Sequence, residues 1–370
     1  MCAQSLRMNA EFKIDELPIL AKADVAVIGA GPAGSSAAAT AAAGGVSVLM
    51  LDKKHHIGLP VQCAEYVPLR LAAEVPIPAD CIAQRVAGFI TYIDREQVAQ
   101  TRVPGYILYR DVFDRYLAER AVQSGVKLFT KAQAVAVTDQ GILIKHQGKL
   151  STVKAGVIIG SEGPKSVVAQ AIHCPPQVLA YAKQITVKLR KRSQWAQIYF
   201  SPSIPGGYAW LFPKNDLANV GVSIDLSLGG KVATALGEFQ QYLIKEGVIS
   251  EEVIRTTGGA IPIGGPRLRI QEKNLMIVGD AAGHTHPISG EGIFPAIAAG
   301  KIAGSLAVDS LRTGDVNVLK QYPLQCFTRF GEFLKRGFER KGEYNMNWEK
   351  TDFPVLVRKT WFAFPEYFES

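Results

Sequence analysis

The sequence predicts an α/β protein in which a parallel-sheet domain is interrupted by an antiparallel sheet and followed by a helical C-terminal segment. Near its start, residues 24–28 and 46–51 are short apolar stretches, and the Ala-rich residues 32–43 between them have the composition of a helix. This strand–helix–strand order is typical of a parallel sheet. Between residues 185 and 226, apolar and polar residues alternate, which indicates antiparallel strands.

The same patterns predict the other elements and the boundaries between them. Further strands are predicted at residues 126–129, 132–137, 141–146, 156–160, 184–188, 196–200, 208–212, 219–225 and 275–278, and further helices at residues 111–124, 232–246 and 292–311. We assign residues 22–83, 107–172 and 265–315 to the parallel-sheet domain, residues 84–106 and 173–264 to the antiparallel-sheet domain, and residues 316–370 to the helical C-terminal segment.

Composition excludes several classes of protein. With 370 residues, 48% of them hydrophobic and 20% charged, the chain has an ordinary globular balance and is neither disordered nor fibrous. Its net charge of +8 favours an anionic membrane surface or a phosphate-bearing substrate, and the lack of any long Lys/Arg run argues against nucleic acid. Five scattered cysteines without a Cys-x-x-Cys pair predict no disulfide framework or metal cluster, and a cytoplasmic location.

One stretch resembles a membrane span in length. Residues 25–51 contain no charge, but five glycines, a proline and four Ser/Thr residues make a buried strand–helix–strand unit the better interpretation. The leader, residues 1–24, mixes acids and bases and lacks the order of a signal peptide. We therefore predict neither secretion nor a transmembrane helix.

A glycine motif directly follows the first predicted strand. Gly29, Gly31 and Gly34 form a GxGxxG turn at the start of the helix, and Asp52 closes the second strand 18 residues after Gly34. Such glycines allow a tight turn, close approach to a pyrophosphate, and helix–strand packing, while the carboxylate binds ribose hydroxyls. This context favours a Rossmann-like dinucleotide site over a structural turn. The predicted cofactor contacts here are Gly29, Gly31, Ala33, Gly34, Asp52 and Lys53.

Two later segments resemble the downstream FAD motifs of glutathione-reductase-2 type flavoproteins. One is residues 158–166, which contain Gly163, and the other is residues 276–283, which contain Gly279 and Asp280. The resemblance implies that the Asp280 carboxylate reaches the flavin ribityl chain and that a helix start at Gly290, Gly292 and Ile293 directs N–H groups at reduced flavin. Glu162 replaces the usual Asp of the first motif, and Ala169 stands where hydroxylases of this class often have Arg.

A more specific resemblance is to the geranylgeranyl reductases. Residues 205–213 match their PxxYxWxFP motif, residues 58–65 are similar to their Cys-containing segment, and residues 109–114 resemble a shortened form of their Tyr-x-x-Arg-x-x-Phe-Asp helix start. The resemblance covers about residues 22–310. It implies an FAD-dependent enzyme that reduces trisubstituted double bonds of prenyl chains in lipids, prenyl diphosphates, chlorophyll tails or quinones, with NAD(P)H or ferredoxin as electron donor. It adds Cys63, Ala64 and Arg110 to the predicted cofactor contacts.

The PxxYxWxFP segment supplies the predicted substrate wall. Tyr208, Trp210 and Phe212 alternate and therefore share one face of a strand, where flat apolar rings would stack on alkenes. The alternative is that they are ordinary core. We predict Tyr208, Trp210 and Cys63 as catalytic, with Cys63 as a proton donor or gate, or alternatively a small buried hydrophobe.

Two further predicted substrate contacts follow the Gly279-Asp280 pair. His284 and His286 are both expected to line the flavin or a diphosphate, with His284 as a predicted substrate contact, and Pro287, the second predicted contact, occupies the Pro position of the reductase motif. His284 and His286 have no third partner at metal-ligand spacing, so no metal site is predicted.

Other classes share parts of these patterns. A flavin-dependent hydroxylase or halogenase would have the same FAD motifs, but it should show an Asp-Gly…Arg pattern or a Trp-x-Trp-x-Ile-Pro run, which this chain lacks. A quinone-linked dehydrogenase would need iron–sulfur cysteines, and a flavin-free binding protein would not need intact motifs.

The C-terminal segment is unusually aromatic. Residues 322–370 hold 13 of the 32 aromatic residues, and a helical phasing puts Phe327, Phe330 and Phe338 near one side with Lys and Arg on the flanks. This pattern indicates either an interfacial helix on an anionic membrane or a helix docked on the flavin domain.

Overall fold

The computed structural model describes residues 17–369, so the leader interpreted above lies, up to residue 16, outside the described residues. The strands, in chain order, are β1 (Ile19–Ile28), β2 (Val48–Leu51), β3 (Tyr66–Pro68), β4 (Ile82–Val86), β5 (Gly88–Ile93), β6 (Glu96–Thr101), β7 (Gly105–Leu108), β8 (Lys127–Phe129), β9 (Ala132–Thr138), β10 (Gly141–His146), β11 (Lys149–Gly160), β12 (Leu179–Leu189), β13 (Trp195–Phe200), β14 (Tyr208–Lys214), β15 (Leu217–Ile224), β16 (Ile249–Pro262), β17 (Gln271–Glu272) and β18 (Leu275–Ile277).

The helices divide into α-helices and shorter 3₁₀ and π turns. The α-helices are α1 (Pro32–Ala43), α2 (Arg110–Gln123), α3 (Val167–Ala171), α4 (Val232–Lys245), α5 (Ile293–Thr313), α6 (Tyr322–Cys326), α7 (Glu332–Asn347) and α8 (Phe353–Thr360). A π-helical turn covers Phe327–Gly331, and 3₁₀ turns cover Leu69–Ala73, Ala79–Cys81, Leu226–Leu228, Gly279–Ala282, Val316–Gln321 and Pro365–Tyr367.

The first sheet is the parallel sheet that the sequence predicts. Its order is β17-β18-β11-β1-β2-β8, and β1, β2, β8, β11 and β18 run parallel. The antiparallel strands β9 and β10 attach to the N-terminal half of β11. Both β1 and β11 begin earlier than predicted, because residues 19–23 of β1 pair with residues 152–155 of β11. The loops at the carboxyl ends of these strands position the candidate site.

The second sheet is antiparallel apart from one pair. Its order is β16-β12-β15-β14-β13-β5-β6, with β13 and β5 parallel. Strand β16 was not predicted, since its polar and glycine-rich sequence does not alternate, and it is held instead by a long pairing with β12. A small third sheet, β3-β7-β4, completes the strands. The predicted α/β class with an interrupting antiparallel sheet and a helical C-terminal segment is confirmed.

Helix α1 and helix α5 pack through small residues. A Cβ atom at Gly300 would lie 2.2 Å from the Ala33 carbonyl oxygen, and one at Gly304 would lie 2.5 Å from that of Ala37. The charge-free stretch at residues 25–51 thus comprises two buried strands of the parallel sheet and helix α1, which packs closely on α5. Among the described residues, α5 alone is long and apolar enough to cross a bilayer, and 72% of its apolar window is buried within the protein. That is the pattern of a core helix.

The C-terminal helices differ from the predicted one-sided stripe. Phe330 is buried, whereas Phe327 and Phe338 are about half exposed. The physical reason is the π-helical turn at Phe327–Gly331, which changes the angular spacing of the residues it contains. Phe330 and Leu334 join the core of the parallel-sheet domain, so the docked alternative describes this side of the helix.

Substitution at the α1–α5 contact should destabilise the fold. We expect Gly300→Ala to lower the free energy of unfolding by about 1–3 kcal/mol, because the added methyl overlaps the α1 backbone. The control is Gly237→Ala in α4, where nothing lies within 4 Å of the new Cβ. That change should be neutral or stabilising by up to about 1 kcal/mol through helix propensity. Urea unfolding measures both, and equal stability of Gly300→Ala and the unmutated protein would contradict the packing described.

Candidate functional site

A cavity of about 1620 Å³ lies between the two large sheets and the C-terminal segment. A typical pocket for one small ligand measures about 300–1000 Å³, so this cavity has room for a dinucleotide and a second ligand. It is bordered by nearly all of the predicted cofactor contacts, namely Gly29, Gly31, Ala33, Asp52, Lys53, Cys63, Ala64, Arg110, Gly163, Gly279, Asp280, Gly290, Gly292 and Ile293. Of the predicted substrate contacts, Tyr208, Trp210, Phe212 and Pro287 border it.

The three motif glycines have different surroundings. A Cβ at Gly29 would lie 2.6 Å from the Ser161 carbonyl oxygen, and one at Gly34 would lie 1.9 Å from the Gly29 oxygen, so Gly34 serves packing and does not border the cavity. A Cβ at Gly31 would have nothing within 4 Å, and the backbone φ there is an ordinary −76°. Neither packing nor conformation requires glycine at this position. The open space above it fits a pyrophosphate that approaches the backbone.

Asp52 holds the glycine loop in place. One carboxylate oxygen accepts a hydrogen bond from the Ala30 N–H at 2.8 Å, and the other accepts from the Lys54 N–H at 2.7 Å. The carboxylate still borders the cavity. A carboxylate oxygen has a second lone pair, so these bonds leave acceptor capacity for a ribose hydroxyl.

The opposite part of the cavity is formed by the Gly279-Asp280 turn and the start of α5. Asp280 accepts a hydrogen bond from the Thr285 hydroxyl at 2.7 Å, and burial raises the pKa of this carboxyl. Helix α5 begins at Ile293 beside Gly290 and Gly292, and all three residues border the cavity. The unpaired N–H groups of a helix start stabilise negative charge, which fits a flavin at this end.

Glu65 forms a buried joint between the two halves of the site. Its side chain is completely buried, and its backbone has φ of +76°. One carboxylate oxygen accepts from the Lys214 ammonium at 2.5 Å and from the Asn219 amide at 2.7 Å. The other accepts from the N–H of Arg110, the first residue of α2, at 3.0 Å. The carboxylate thus connects α2 in the parallel-sheet domain with β14 and β15 in the antiparallel sheet.

Cys63 is positioned by the same joint. The Glu65 N–H donates to its sulfur at 3.2 Å, and its carbonyl oxygen accepts from the Gln184 amide at 3.1 Å. Burial raises the pKa of the Cys63 thiol, and the nearby Arg110 guanidinium opposes that shift. The thiol therefore stays protonated at neutral pH beside the cavity.

The aromatic residues of β14 form one wall of the cavity. The Tyr208 hydroxyl donates to the Ser289 carbonyl oxygen at 2.6 Å, which ties this strand to the loop before α5. The Trp210 indole donates to the Gln184 side-chain oxygen at 2.9 Å. Because Gln184 also donates to the Cys63 carbonyl, the indole helps to fix the Cys63 loop.

The structure corrects the prediction for His284. Its ring is buried against Phe330 at 5.0 Å and does not border the cavity, and burial lowers its pKa to about 3. His286, for which the same position was expected, does border the cavity. Its Nδ1 accepts from the Ser289 N–H at 3.1 Å, so Nε2 carries the proton and donates to the Tyr367 hydroxyl at 2.9 Å. The His284 N–H donates to the Gly279 carbonyl oxygen at 3.0 Å, and this turn places the His284 ring in the core, whereas Thr285, His286 and Pro287 after it border the cavity.

Several bordering residues were not singled out from the sequence. They are Glu65, Gln184, Tyr66, Phe89 and, in the C-terminal segment, Phe333, Trp361, Phe362, Tyr367 and Phe368. Glu65 lies inside the Cys-containing segment, and an acid between apolar residues was a usable signal for a buried charge. The C-terminal aromatics gave no such signal, because their position depends on how the segment folds back across the sheets.

The chain is similar to known proteins along most of its length. The family model for the geranylgeranyl reductase catalytic domain matches residues 179–261, and that for an NAD(P)-binding Rossmann-like domain matches residues 27–85. A digeranylgeranylglycerophospholipid reductase from Methanococcus aeolicus is 32% identical over 324 residues, covering 84% of this chain and 82% of the relative.

Solved structures extend the comparison. A geranylgeranyl bacteriochlorophyll reductase-like protein from Thermoplasma acidophilum superposes with a TM-score of 0.81 at 26% identity, covering 92% of this chain and 91% of that one. A flavin-dependent brominase superposes with a TM-score of 0.69 at 16% identity, covering 91% and 98%. The brominase shares the fold alone.

Substitution of Gly31 should remove the dinucleotide without unfolding the protein. We expect Gly31→Val to be folded and colourless, because its side chain enters open cavity where a pyrophosphate would lie. The control Gly237→Ala should keep its flavin, since it lies away from the cavity. Circular dichroism measures folding, and absorbance after extraction measures flavin. Flavin bound at the unmutated stoichiometry in Gly31→Val would refute the dinucleotide assignment.

Removal of the Lys214 ammonium should destabilise the joint at Glu65. We expect Lys214→Met to lower the free energy of unfolding by about 3–5 kcal/mol, because it leaves a buried carboxylate without its counter-charge. The double variant Glu65→Gln/Lys214→Met should lose less than the sum of the single changes. In the control Lys188→Met, whose partner Glu252 is exposed, stability should not change measurably. Urea unfolding measures Glu65→Gln, Lys214→Met and the double variant. A loss of unfolding free energy in the double variant that equals the sum of the two single losses would show that the two groups are not coupled.

Proposed function

Because the chain belongs to the geranylgeranyl reductase family, we propose that it reduces isolated C=C bonds of polyprenyl chains with FAD as its cofactor. The observation that carries this proposal is that one cavity joins a glycine loop open to a pyrophosphate with a wall of aromatic side chains. Neither feature alone distinguishes this activity from others on the same fold. Together they indicate a redox cofactor beside an apolar substrate.

The residues suited to hold FAD come from three loops. Gly31 and Asp52 would contact the pyrophosphate and ribose, Asp280 the ribityl chain, and the α5 start at Gly292 and Ile293 the flavin ring. When bound and reduced, the flavin supplies a hydride to one carbon of the alkene. The N–H groups of the α5 start would stabilise the negative charge of the reduced flavin before it gives up the hydride.

The chain's own residues exclude water and orient the prenyl chain. Trp210 and Phe212 are almost fully buried, and together with Tyr208 they present an apolar wall to the cavity. An isolated alkene has no carbonyl to accept developing charge, so the site must instead hold it rigidly in an environment without water. When one alkene carbon is protonated, the other carbon gains positive character and receives the hydride, and aromatic faces stabilise that positive character.

We assign the proton donation to Cys63. Its thiol borders the cavity, and because burial raises its pKa it carries a proton at neutral pH. Once the proton has moved to the second alkene carbon, the thiolate would accept the Glu65 N–H and face the Arg110 guanidinium. Both contacts stabilise the negative sulfur.

The hydroxylase or halogenase alternative has less support. Ala169 is buried in the short helix α3 and offers no guanidinium to the cofactor. The aromatic strand carries Tyr-x-Trp-x-Phe-Pro, and the likeness to the brominase extends to the fold alone. Electrons would come from NAD(P)H or a ferredoxin, and reduction of the protein with dithionite replaces either donor in the turnover assay.

We also propose peripheral contact with an anionic membrane. The C-terminal helices expose several apolar side chains, namely Leu324, Phe327, Phe338, Met346 and Val355, and Lys335 and Arg336 are exposed near Phe338 in the chain. Their combination with the net charge of +8 fits an interfacial surface. Phe330 is not part of it.

The reductase proposal is tested by turnover of a geranylgeranyl lipid. Anaerobic protein reduced with dithionite should add two hydrogens for each double bond saturated, as measured by mass spectrometry. Trp210→Ala should keep its flavin and lose about a hundredfold in rate, roughly 3 kcal/mol, through a widened cavity and lost stacking. Trp210→Phe, which keeps an aromatic ring but loses part of the indole volume and the hydrogen bond to Gln184, should lose less. Unchanged turnover with lower thermal stability in Trp210→Ala would mean that the aromatic face is ordinary core.

Sedimentation with anionic liposomes tests the membrane proposal. We expect binding at low salt that weakens at high salt, because salt screens charge attraction. The double variant Phe327→Ser/Phe338→Ser should bind less, whereas the control Val253→Ser, an exposed residue of β16, should bind normally. If the protein reduces detergent-solubilised substrate but binds liposomes at neither salt concentration, the membrane proposal is refuted, and a carrier must deliver the substrate.

A further inference from the structure

The part of the C-terminal segment that follows α8, residues 361–369, borders the cavity. The first of these residues, Trp361, is an anchor. The Trp361 indole donates to the Thr91 hydroxyl on β5 at 3.2 Å, and both side chains are buried. The indole ring packs 5.1 Å from Phe200 and 5.6 Å from Tyr208. Trp361 therefore fixes the start of this segment to the antiparallel sheet, behind the aromatic wall of the site.

The far end of the segment is fixed to a different part of the protein. The Tyr367 hydroxyl accepts from His286, in the loop between Asp280 and α5. The Arg340 guanidinium of α7 donates to the carbonyl oxygen of Tyr367 at 3.0 Å and to that of Glu366 at 3.3 Å. With an anchor at each end, the residues between them form a fixed wall rather than a loose tail.

Between the anchors, Phe362 faces a cluster of rings that the two sheets supply. Its ring lies 5.8 Å from Phe89, which in turn lies 4.7 Å from Tyr66 and 6.0 Å from Phe212. All four side chains border the cavity. We name the part of the cavity that these four rings border the aromatic compartment. Contacts between rings lead to it from Tyr208 through Trp361, whose ring is 4.2 Å from Phe362.

The position of the compartment determines what it can hold. Tyr208 sits at the loop before α5, where its hydroxyl bonds the Ser289 carbonyl and where the cofactor is proposed to lie. The Tyr208 ring contacts Trp361, which in turn contacts Phe362, so a chain whose reacting bond is beside that loop would extend its remaining length along the four rings. Of these rings, Phe362 alone comes from the C-terminal segment. It can therefore vary without disturbing either sheet.

We propose that the aromatic compartment receives the distal end of the substrate chain and that Phe362 determines the chain length that fits. The identity of the chain as a prenyl chain rests on the proposed function, whereas the compartment itself requires only an apolar chain. Phe362 is thus a specificity-determining residue, and it takes no part in the transfer of hydride or proton.

The test measures binding and needs no turnover. Purified flavin-containing protein is titrated with straight-chain alcohols of increasing length, which displace a fluorescent polyene fatty acid from the cavity. Affinity should rise with length and then level off at a limiting length. In Phe362→Ala that limit should move to longer alcohols, with about fourfold tighter binding for each methylene newly accommodated. Phe362→Trp should move it to shorter ones.

The control is Phe364→Ala. Phe364 is buried in the same hydrophobic cluster but does not border the cavity. Its truncation should lower thermal stability and leave the limiting length unchanged. An unchanged limit in both Phe362 variants, with the probe still bound, would overturn the proposal. A limit that moves as expected in protein that reduces no prenyl substrate would refute the proposed function and leave the aromatic compartment in place.

Discussion

The buried carboxylate of Glu65 is the constraint on which the arrangement of the site depends. A completely buried carboxylate is tolerated only when its charge and its lone pairs are satisfied. Lys214 and Asn219 from the antiparallel sheet and the first N–H of α2 satisfy this one. Since the donors come from both halves of the molecule, the sheets cannot shift relative to each other without exposing an unpaired charge. The joint therefore sets the distance between the glycine loop and the aromatic wall.

Other interactions of the site follow from that joint. Cys63 stands two residues before Glu65 and receives its N–H, while Gln184 bridges the same loop to Trp210. An apolar cavity of this size gives little directional guidance to a substrate, because dispersion contacts are individually weak. Direction comes instead from the few polar contacts at its edge, which hold the thiol and the aromatic strand in register. The C-terminal segment closes the remaining side through Trp361 and Tyr367.

Patterns of neighbouring residues predicted the strands, helices and turns whose conformation depends mainly on neighbouring residues. The strand–helix–strand start, the GxGxxG turn with Asp52, and the alternation along β12 to β15 each depend on neighbouring residues, and the structure has all of them. Strand β16 carries no equivalent local pattern, and its pairing with β12 compensates for a poor strand sequence. The π-helical turn before α7 likewise depends on how Phe330 packs into the core. The prediction that Phe327, Phe330 and Phe338 share one side assumed regular helical phasing, and it was wrong for this reason.

The site divides in the same way. The cofactor loops were predictable because a pyrophosphate requires glycine and a helix start, whereas Lys214 and Asn219, the side-chain partners of Glu65, are separated from it by 149 and 154 residues and are visible only in the fold. His284 shows the opposite case, in which a polar residue next to a motif belongs to the core.

The central claim is that the cofactor and the prenyl chain share one cavity and touch each other there. The most direct measurement is the absorbance difference spectrum of the bound flavin during titration with a fully saturated polyprenyl analogue, which can bind but cannot react. A shared cavity predicts a saturable shift of the flavin bands at the concentrations at which equilibrium dialysis detects binding. Bound analogue without any change in the flavin spectrum would mean that the aromatic wall and the cofactor serve separate sites.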